Sequence, residues 1–495
     1  MKKYILSIDQ GTSSTKSLIF DEQGQAIAKG AEFLQTHYLD GGFVEQEPEA
    51  IYQNVLASVR KCLEDFTSKG LDREDIMAIG ISNQRETFIV WDRSGKPLHN
   101  AVVWQCKRSV QVCEELKQKG LSELVNKKTG LVIDPYFSAT KLIWLSQNNQ
   151  QIQLAIQKGE AYFGTVDTWL LYKFTNGAKY ATDYTNASRT LLFNLHTLQW
   201  DHEIIEAFGL TGIQLPSLQS SSSLFGETNL DGLFAGPILI TAMIGDSHAA
   251  AFGEGCFEAG TAKATLGTGC SILMNVGVKP VQSDNGMVST ICWSTEDEVN
   301  YALEGVIVSC GASIEWLKNE LNLFEDSKQT EAMANAVTDN GGVYLVPAFS
   351  GLGSPYWQMD RKASIVGLGF GSSKNHIVRA GLESIAYQIK DVIDAMQQDA
   401  SIQLNSLNVD GGITSNQFVI SFLVNLLNKQ VNTIGMPDVS ALGAAYLAGL
   451  KVGVYDSIAA IKQLNSKKKI HQPNNSDGST DKYYQGWKKA ISFEK

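Results

Sequence analysis

Tyr4-Ile5-Leu6-Ser7-Ile8-Asp9-Gln10-Gly11-Thr12-Ser13-Ser14-Thr15-Lys16 opens the chain with an apolar strand that runs into small and hydroxyl residues, with a carboxylate at the join. The second half repeats the device: Ala264 to Leu266 leads into Gly267-Thr268-Gly269, and the strand Ser271 to Met274 follows. In each turn, backbone N–H and side-chain O–H groups can point at an anion, with no Cβ bulk to hold it away. Asp9 adds a ligand for Mg²⁺ and its waters beside the phosphates. A single turn of this kind is commonly just a hairpin. Two in one chain read as paired phosphate hairpins, and so as a nucleotide site shared by two halves.

Other nucleotide motifs fail on spacing. Gly95-Lys96 is followed by Pro97, which rules out a Walker A loop. In Gly367-Leu368-Gly369-Phe370-Gly371 the third glycine comes a residue early for a dinucleotide fingerprint.

At 495 residues the chain needs two or three cores, and 43% hydrophobic residues suffice to build them. The net charge of -11, with no dense Lys/Arg stripe, argues against a nucleic-acid partner. Lys467-Lys468-Lys469 is the one basic run and reads as a solvated loop. No apolar stretch reaches membrane-spanning length, so no membrane partner is expected. Seven scattered cysteines without a C-x-x-C pair fit reduced thiols in the cytoplasm.

Tyr4 to Ile8, Ser17 to Phe20 and Ala26 to Ala31 read as a three-stranded meander, followed by a helix from Pro48 and strands Met77 to Ile81 and Thr87 to Trp91. Strands Ala264 to Leu266, Ser271 to Met274, Val288 to Ile291 and Asn300 to Glu304 repeat the theme before a helix around Ser313 to Leu321. The economical reading is an α/β chain duplicated in architecture, divided as 1–252 and 253–495, with a cleft between the halves for a nucleotide and a small substrate. Ser220 to Ser223 reads as a polar surface loop.

Ordered motifs along nearly the whole chain resemble the FGGY carbohydrate kinases. They include Asp9 to Lys16, Ser82-Asn83-Gln84-Arg85-Glu86-Thr87, Ala101 to Cys106, Thr129 to Phe137, Phe163 to Trp169, Asp183 to Thr190 and Gly245-Asp246. Tyr344 to Phe349, Leu382 to Tyr387 and Ala441 to Tyr446 continue them. The resemblance implies two actin-like (ribonuclease-H-like) ATPase domains flanking a catalytic cleft. It also implies ATP with Mg²⁺, a homodimer or homotetramer, and phosphorylation of a small polyol, with glycerol the expected acceptor.

By that resemblance Asp246 is the general base, although an Asp after a buried strand also suits a helix cap. Arg85 and Glu86 give and accept hydrogen bonds to acceptor hydroxyls, which requires both to lie in a turn, since neighbours on a strand face opposite ways. Trp104 walls the carbon chain and Tyr136 binds another hydroxyl. Thr12, Ser13, Ser14, Lys16 and Thr268 hold phosphates, Gly311, Glu315, Gly412 and Asn416 hold adenosine, and Asp9 with Asp246 holds the metal. Members that phosphorylate glycerol usually carry Gln and Phe where this chain has Ser247 and Ser271. Two serines make the pocket wider and wetter, which raises a longer polyol or a ketose, such as erythritol or a pentulose, as the alternative acceptor. His248 is placed either in that vacated space or as a structural histidine.

Overall fold

The computed structural model describes residues 2–435, 438–464, 468–474 and 479–492. The first half is built on a six-stranded sheet ordered Ser222–Thr228, Ile238–Gly245, Ile76–Asn83, Tyr4–Gln10, Ser14–Asp21, Ala26–Phe33. The last three strands form the expected antiparallel meander. Tyr4–Gln10, Ile76–Asn83 and Ile238–Gly245 run parallel, and Gln10, Asn83 and Gly245 end in one register row. The segments that leave this row carry Arg85, Glu86 and Asp246, at the carboxyl ends of parallel strands where α/β sheets place their ligands.

A seven-stranded sheet repeats the plan in the second half: Val288–Ser294, Val299–Ile307, Cys270–Gly277, Thr261–Leu266, Ser406–Asp410, Gln430–Thr433, Lys469–His471. Antiparallel strands lie on one side of Thr261–Leu266; on the other come the parallel strands Ser406–Asp410 and Gln430–Thr433 and an antiparallel edge strand, Lys469–His471. The duplication is therefore one of topology around the central strands; the second sheet has one strand more, and in it Val299–Ile307, later in sequence than Val288–Ser294, takes the inner position.

Phe88–Trp91 does not join the first sheet. It belongs to a separate five-stranded layer with His37–Leu39, Phe43–Gln46, Ala101–Val102 and Tyr162–Thr165, packed over its own core of Val44, Phe88, Val102, Leu142 and Phe163. This layer carries Trp104 and the segment around Tyr136 toward the cleft.

Two helices tie the halves together. Asp246–Gly253 continues from the first sheet, and Val439–Lys451, from the second half, packs on it and on the first sheet. Their backbones touch: a Cβ on Gly443 would fall 1.8 Å from the Ala249 carbonyl oxygen, and one on Gly253 2.4 Å from that of Val439. Only glycine allows so close a crossing. Ile5, Ala78, Ile244, Ala251, Leu273, Trp293, Leu442 and Tyr446 share the core around it.

Two sequence readings change. Ser220 to Ser223 is buried rather than a surface loop; the Ser221 hydroxyl donates to Asp183 at 2.7 Å and that of Ser222 to the Leu447 carbonyl at 2.9 Å. The serines pair with polar groups of neighbouring elements, so their polarity marks contacts and not solvent. Of the basic run, Lys467 lies outside the described residues, whereas Lys468 is half-buried, its Nζ donating to the Glu254 carbonyl. The seven cysteines are buried free thiols, and among the described residues no helix is long and apolar enough to cross a membrane.

Candidate active site

A cavity of about 320 Å³ opens between the two sheets, lined by Thr12, Arg85, Glu86, Trp104, Tyr136, Asp246, Ser247 and Ser271 together with Lys263, Thr265 and Asp410. The proposed acceptor residues thus converge, although they come from five separate stretches of chain.

Arg85 and Glu86 lie in the turn after Ile76–Asn83, with Glu86 at φ 60, a left-handed conformation unusual for a side chain of this size. That kink lets neighbours face one ligand. Gly245 makes room for the arginine, since a Cβ there would meet the Arg85 Cγ at 2.7 Å. Arg85 Nε then lies 3.2 Å from Asp246 Oδ1, and its Nη2 3.0 Å from Glu304 Oε1. Arg189 continues the chain, its Nη1 2.6 Å from Glu304 Oε2 and its Nε 2.5 Å from Glu86 Oε1. Five charges of alternating sign, Asp246, Arg85, Glu304, Arg189 and Glu86, therefore form one network. Burial works against ionised Glu304, yet the Arg189 and Arg85 guanidiniums hold its carboxyl well below the usual carboxylate range. Burial pushes Glu86 upward, partly offset by the same two arginines.

Glu304 and Arg189 were not foreseen as site residues. The available signal was a carboxylate within the apolar run Tyr301-Ala302-Leu303-Glu304-Gly305-Val306-Ile307, a place where a charge needs a partner.

Trp104 donates from Nε1 to the Thr12 hydroxyl at 2.9 Å and meets the Tyr136 ring edge-on, with centroids 5.6 Å apart. Tyr136 is fixed from behind by Lys141, whose Nζ donates to the carbonyls of Pro135, Tyr136 and Phe137. Burial brings the Lys141 amine down to about 7. Asp246 is the first residue of its helix and its side chain is 40% exposed, so it faces the cleft while the network holds its inner side. Ser271 donates to Glu304 Oε1 at 3.2 Å and lies 3.4 Å from the Ser247 hydroxyl. His248 is buried behind the pocket at 3.3 Å from the Thr290 hydroxyl, not in the space beside the serines, and burial with Arg85 nearby keeps its ring well below its ordinary value.

Asp9 accepts from the Ser82 hydroxyl at 2.9 Å. Burial, then the negative charge of Asp246, raise its carboxyl to about 6. Two carboxylates that repel across a cleft are a fitting place for a divalent cation. Ser13 is exposed beside the first hairpin. Ser14 closes that hairpin, its carbonyl accepting from the Gly11 N–H at 3.0 Å. Lys16 Nζ lies 2.7 Å from Asp438 Oδ1, and its positive charge also acts on Asp9.

On the other wall, Gly311 N–H donates to the Gly267 carbonyl at 2.9 Å, and Cys310 and Ala312 N–H groups to that of Thr268 at 2.9 and 3.1 Å. The loop before Gly412 packs on the same strand end, for a Cβ on Gly411 would meet the Leu266 carbonyl at 2.4 Å. Thr268, Gly311 and Gly412 are thereby brought together. Glu315 is exposed one turn along the helix Gly311–Asn319, and Asn416 caps the helix Gln417–Leu427.

Residues 4–253 match the N-terminal domain of the FGGY family of carbohydrate kinases, and residues 262–452 its C-terminal domain. The chain is 46% identical over 498 residues to a glycerol kinase of Fusobacterium nucleatum, covering 100% of this chain and 99% of the relative. It is 44% identical over 492 residues to a glycerol kinase of Desulfitobacterium hafniense, covering 99% of each. Among solved structures, Plasmodium falciparum glycerol kinase with ADP superposes with a TM-score of 0.94 at 37% identity over 99% of this chain and 98% of that one. A xylulose kinase from Lactobacillus acidophilus, 22% identical over 99% of each chain, shares the fold at a TM-score of 0.88. Two topologically alike halves, a cleft at the strand ends and matches spanning both lead to one conclusion: the chain belongs to the FGGY family of carbohydrate kinases, with their two actin-like ATPase domains.

Proposed function

We propose that the protein transfers the γ-phosphoryl group of ATP to a primary hydroxyl of glycerol, giving sn-glycerol 3-phosphate. The observation that carries this reading is the convergence of Arg85, Glu86, Trp104, Tyr136 and Asp246 on one cavity beneath the two phosphate hairpins. A polyol is both donor and acceptor at every carbon, and the pocket offers a guanidinium, a carboxylate and a phenol over an aromatic wall. The names of the full-length relatives support glycerol as the acceptor.

In the reaction the acceptor oxygen forms a bond to γ-phosphorus as the bond to the β-phosphate bridging oxygen breaks, and ADP leaves with that electron pair. The acceptor proton passes to the Asp246 carboxylate. Arg85 restrains that carboxylate from one side, so its free oxygen is aimed before substrate arrives. Because the transition state is loose, the proton is needed late, and orientation counts as much as basicity. Asp9 and Asp246 would hold Mg²⁺ through its waters, and the bound ion would neutralise charge on the phosphate oxygens. Ser13, Ser14 and Thr268 would donate to phosphates, with Gly311, Glu315, Gly412 and Asn416 around the adenosine. We place the division of the chain at the end of Asp246–Gly253, as 1–252 and 253–495, with Val439–Lys451 returning to the first half. A homodimer or homotetramer in the cytoplasm is the expected assembly, which light scattering on the purified chain tests.

One observation favours a second acceptor. Ser247 and Ser271 present two hydroxyls within 3.4 Å of one another, so that wall of the pocket is polar and welcomes a further carbinol carbon, as in erythritol or a pentulose. Comparing kcat/KM for glycerol, erythritol, xylulose and ribulose with Mg-ATP decides between them. Glycerol highest supports the first reading; no phosphorylation of any of them overturns both.

A further inference from the structure

Lys263 stands on the strand Thr261–Leu266, just before the second hairpin, and its side chain lines the same cavity as Arg85, Asp246 and Asp410. It is 2% exposed. Its Nζ makes one hydrogen bond among the described residues, to the Thr265 hydroxyl at 3.0 Å, two residues along the same strand face. No carboxylate forms an ion pair with it among the described residues, whereas a buried lysine ordinarily has one. Beside it, Asp410 pairs in register with Thr265, and its Oδ1 is buried without a hydrogen-bond partner.

The other cations near the cleft are engaged. Arg85 is shared between Asp246 and Glu304, and Arg189 between Glu304 and Glu86. Lys16, the cation of the first hairpin, is held by Asp438, which also takes Lys29. A phosphoryl group crossing this cleft spreads charge over its equatorial oxygens, and preorganised donors in a site shielded from water stabilise it. Arg85 Nη1 is also buried without a hydrogen-bond partner, but its guanidinium is committed to two carboxylates; Lys263 lines the cavity with donors to spare and, among the described residues, no ion pair.

Resting on the kinase reading above, we propose that Lys263 is a catalytic residue: its Nζ donates to oxygens of the phosphoryl group in transit from ATP to the acceptor. Lys263 acts as a hydrogen-bond donor, and the acceptor proton still goes to Asp246. The competing role is that of a counter-ion to the buried carboxylates of Glu254 and Asp410. That role predicts a loss of stability with turnover retained.

The test compares Lys263→Met, Lys263→Ala and Lys263→Arg with wild type, by steady-state kinetics, calorimetric ADP binding and thermal unfolding. Lys263→Met is expected to lower kcat about 10²- to 10³-fold, the usual scale for losing a transition-state donor. ADP Kd and acceptor KM should stay within about threefold. Methylammonium added to Lys263→Ala should restore rate saturably, and Lys263→Arg should recover part of it. A kcat within about fivefold of wild type in Lys263→Met overturns the proposal, as does a lowered Tm with turnover intact. Should Lys263→Met not fold, the same comparison is read from Lys263→Met paired with Asp410→Asn, set against Asp410→Asn alone, which removes the buried acid with its cation. A wild type that phosphorylates no polyol overturns the kinase reading instead, and Lys263 is then judged on the rate of ATP hydrolysis.

Discussion

The two walls of the cleft are built on opposite principles. On the acceptor side, Arg85, Glu86, Glu304 and Arg189 are buried and locked to one another, and Trp104 and Tyr136 are pinned through Thr12 and Lys141. On the nucleotide side, Thr268, Glu315 and Gly412 are exposed, and what holds that wall is backbone hydrogen bonding between its loops. The acceptor pocket is rigid because charge partners over-determine each side chain, while the nucleotide wall is a set of backbone edges that larger contacts can complete. A small polyol has little binding energy with which to order a pocket, so the pocket is ordered in advance; ATP is large and brings its own.

Breaking the acceptor wall should cost most. Asp246→Asn is expected to reduce kcat by about 10²- to 10⁴-fold with ADP affinity retained, measured by coupled assay and calorimetry. Comparable loss of ADP binding would dissolve the contrast between the walls. Glu304→Gln leaves two buried guanidiniums short of a partner and should destabilise the fold by about 3 kcal/mol or more, read from denaturant unfolding, with a raised acceptor KM. Asp9→Asn sharpens the contrast through pH. The Asp9 carboxyl is raised to about 6, above its unfolded value of about 3.9, so its contribution is fully present below the unfolded value and lost as pH rises through 6. The amide should therefore gain about 2 kcal/mol over wild type at pH 8 without nucleotide, and roughly half as much at pH 5, midway through that window, while turnover falls. Equal melting shifts at both pH values would refute this. Smallest is Asn416→Ala on the nucleotide wall: loss of the helix cap should cost about 1 kcal/mol and weaken ADP binding, leaving acceptor KM unchanged.

What the sequence disclosed follows from periodicity and local chemistry. The meander, the helix from Pro48 and the strands of both sheets stand in alternating or continuous apolar runs, and the hairpins in their glycines and hydroxyls. The register row that joins Gln10, Asn83 and Gly245 depends on strands more than 150 residues apart, beyond the reach of any local pattern. Ser220 to Ser223 misled because composition registers polarity and not its partners. That Arg85 and Glu86 must lie in a turn to share a ligand is legible from their adjacency, but Glu304, which pairs with both arginines of the network, reaches them only because the second half packs against the first. Lys16 illustrates the converse: its place in the hairpin was legible, and its attachment to Asp438 was not.

The glycine crossing between Asp246–Gly253 and Val439–Lys451 has a mechanical meaning. Where Gly443 and Gly253 meet the facing backbone no side chain stands between the helices, so the crossing is suited to act as a pivot. At about 1.5 Å per residue, Asp246 lies only about 5–10 Å along its helix from that point. The general base proposed above thus sits close to the crossing, where a rotation of the halves about it would displace atoms least. The second hairpin belongs to the seven-stranded sheet, on the far side of the crossing. Such a molecule can swing a nucleotide toward an acceptor while the group that must meet the acceptor's proton stays nearly at rest.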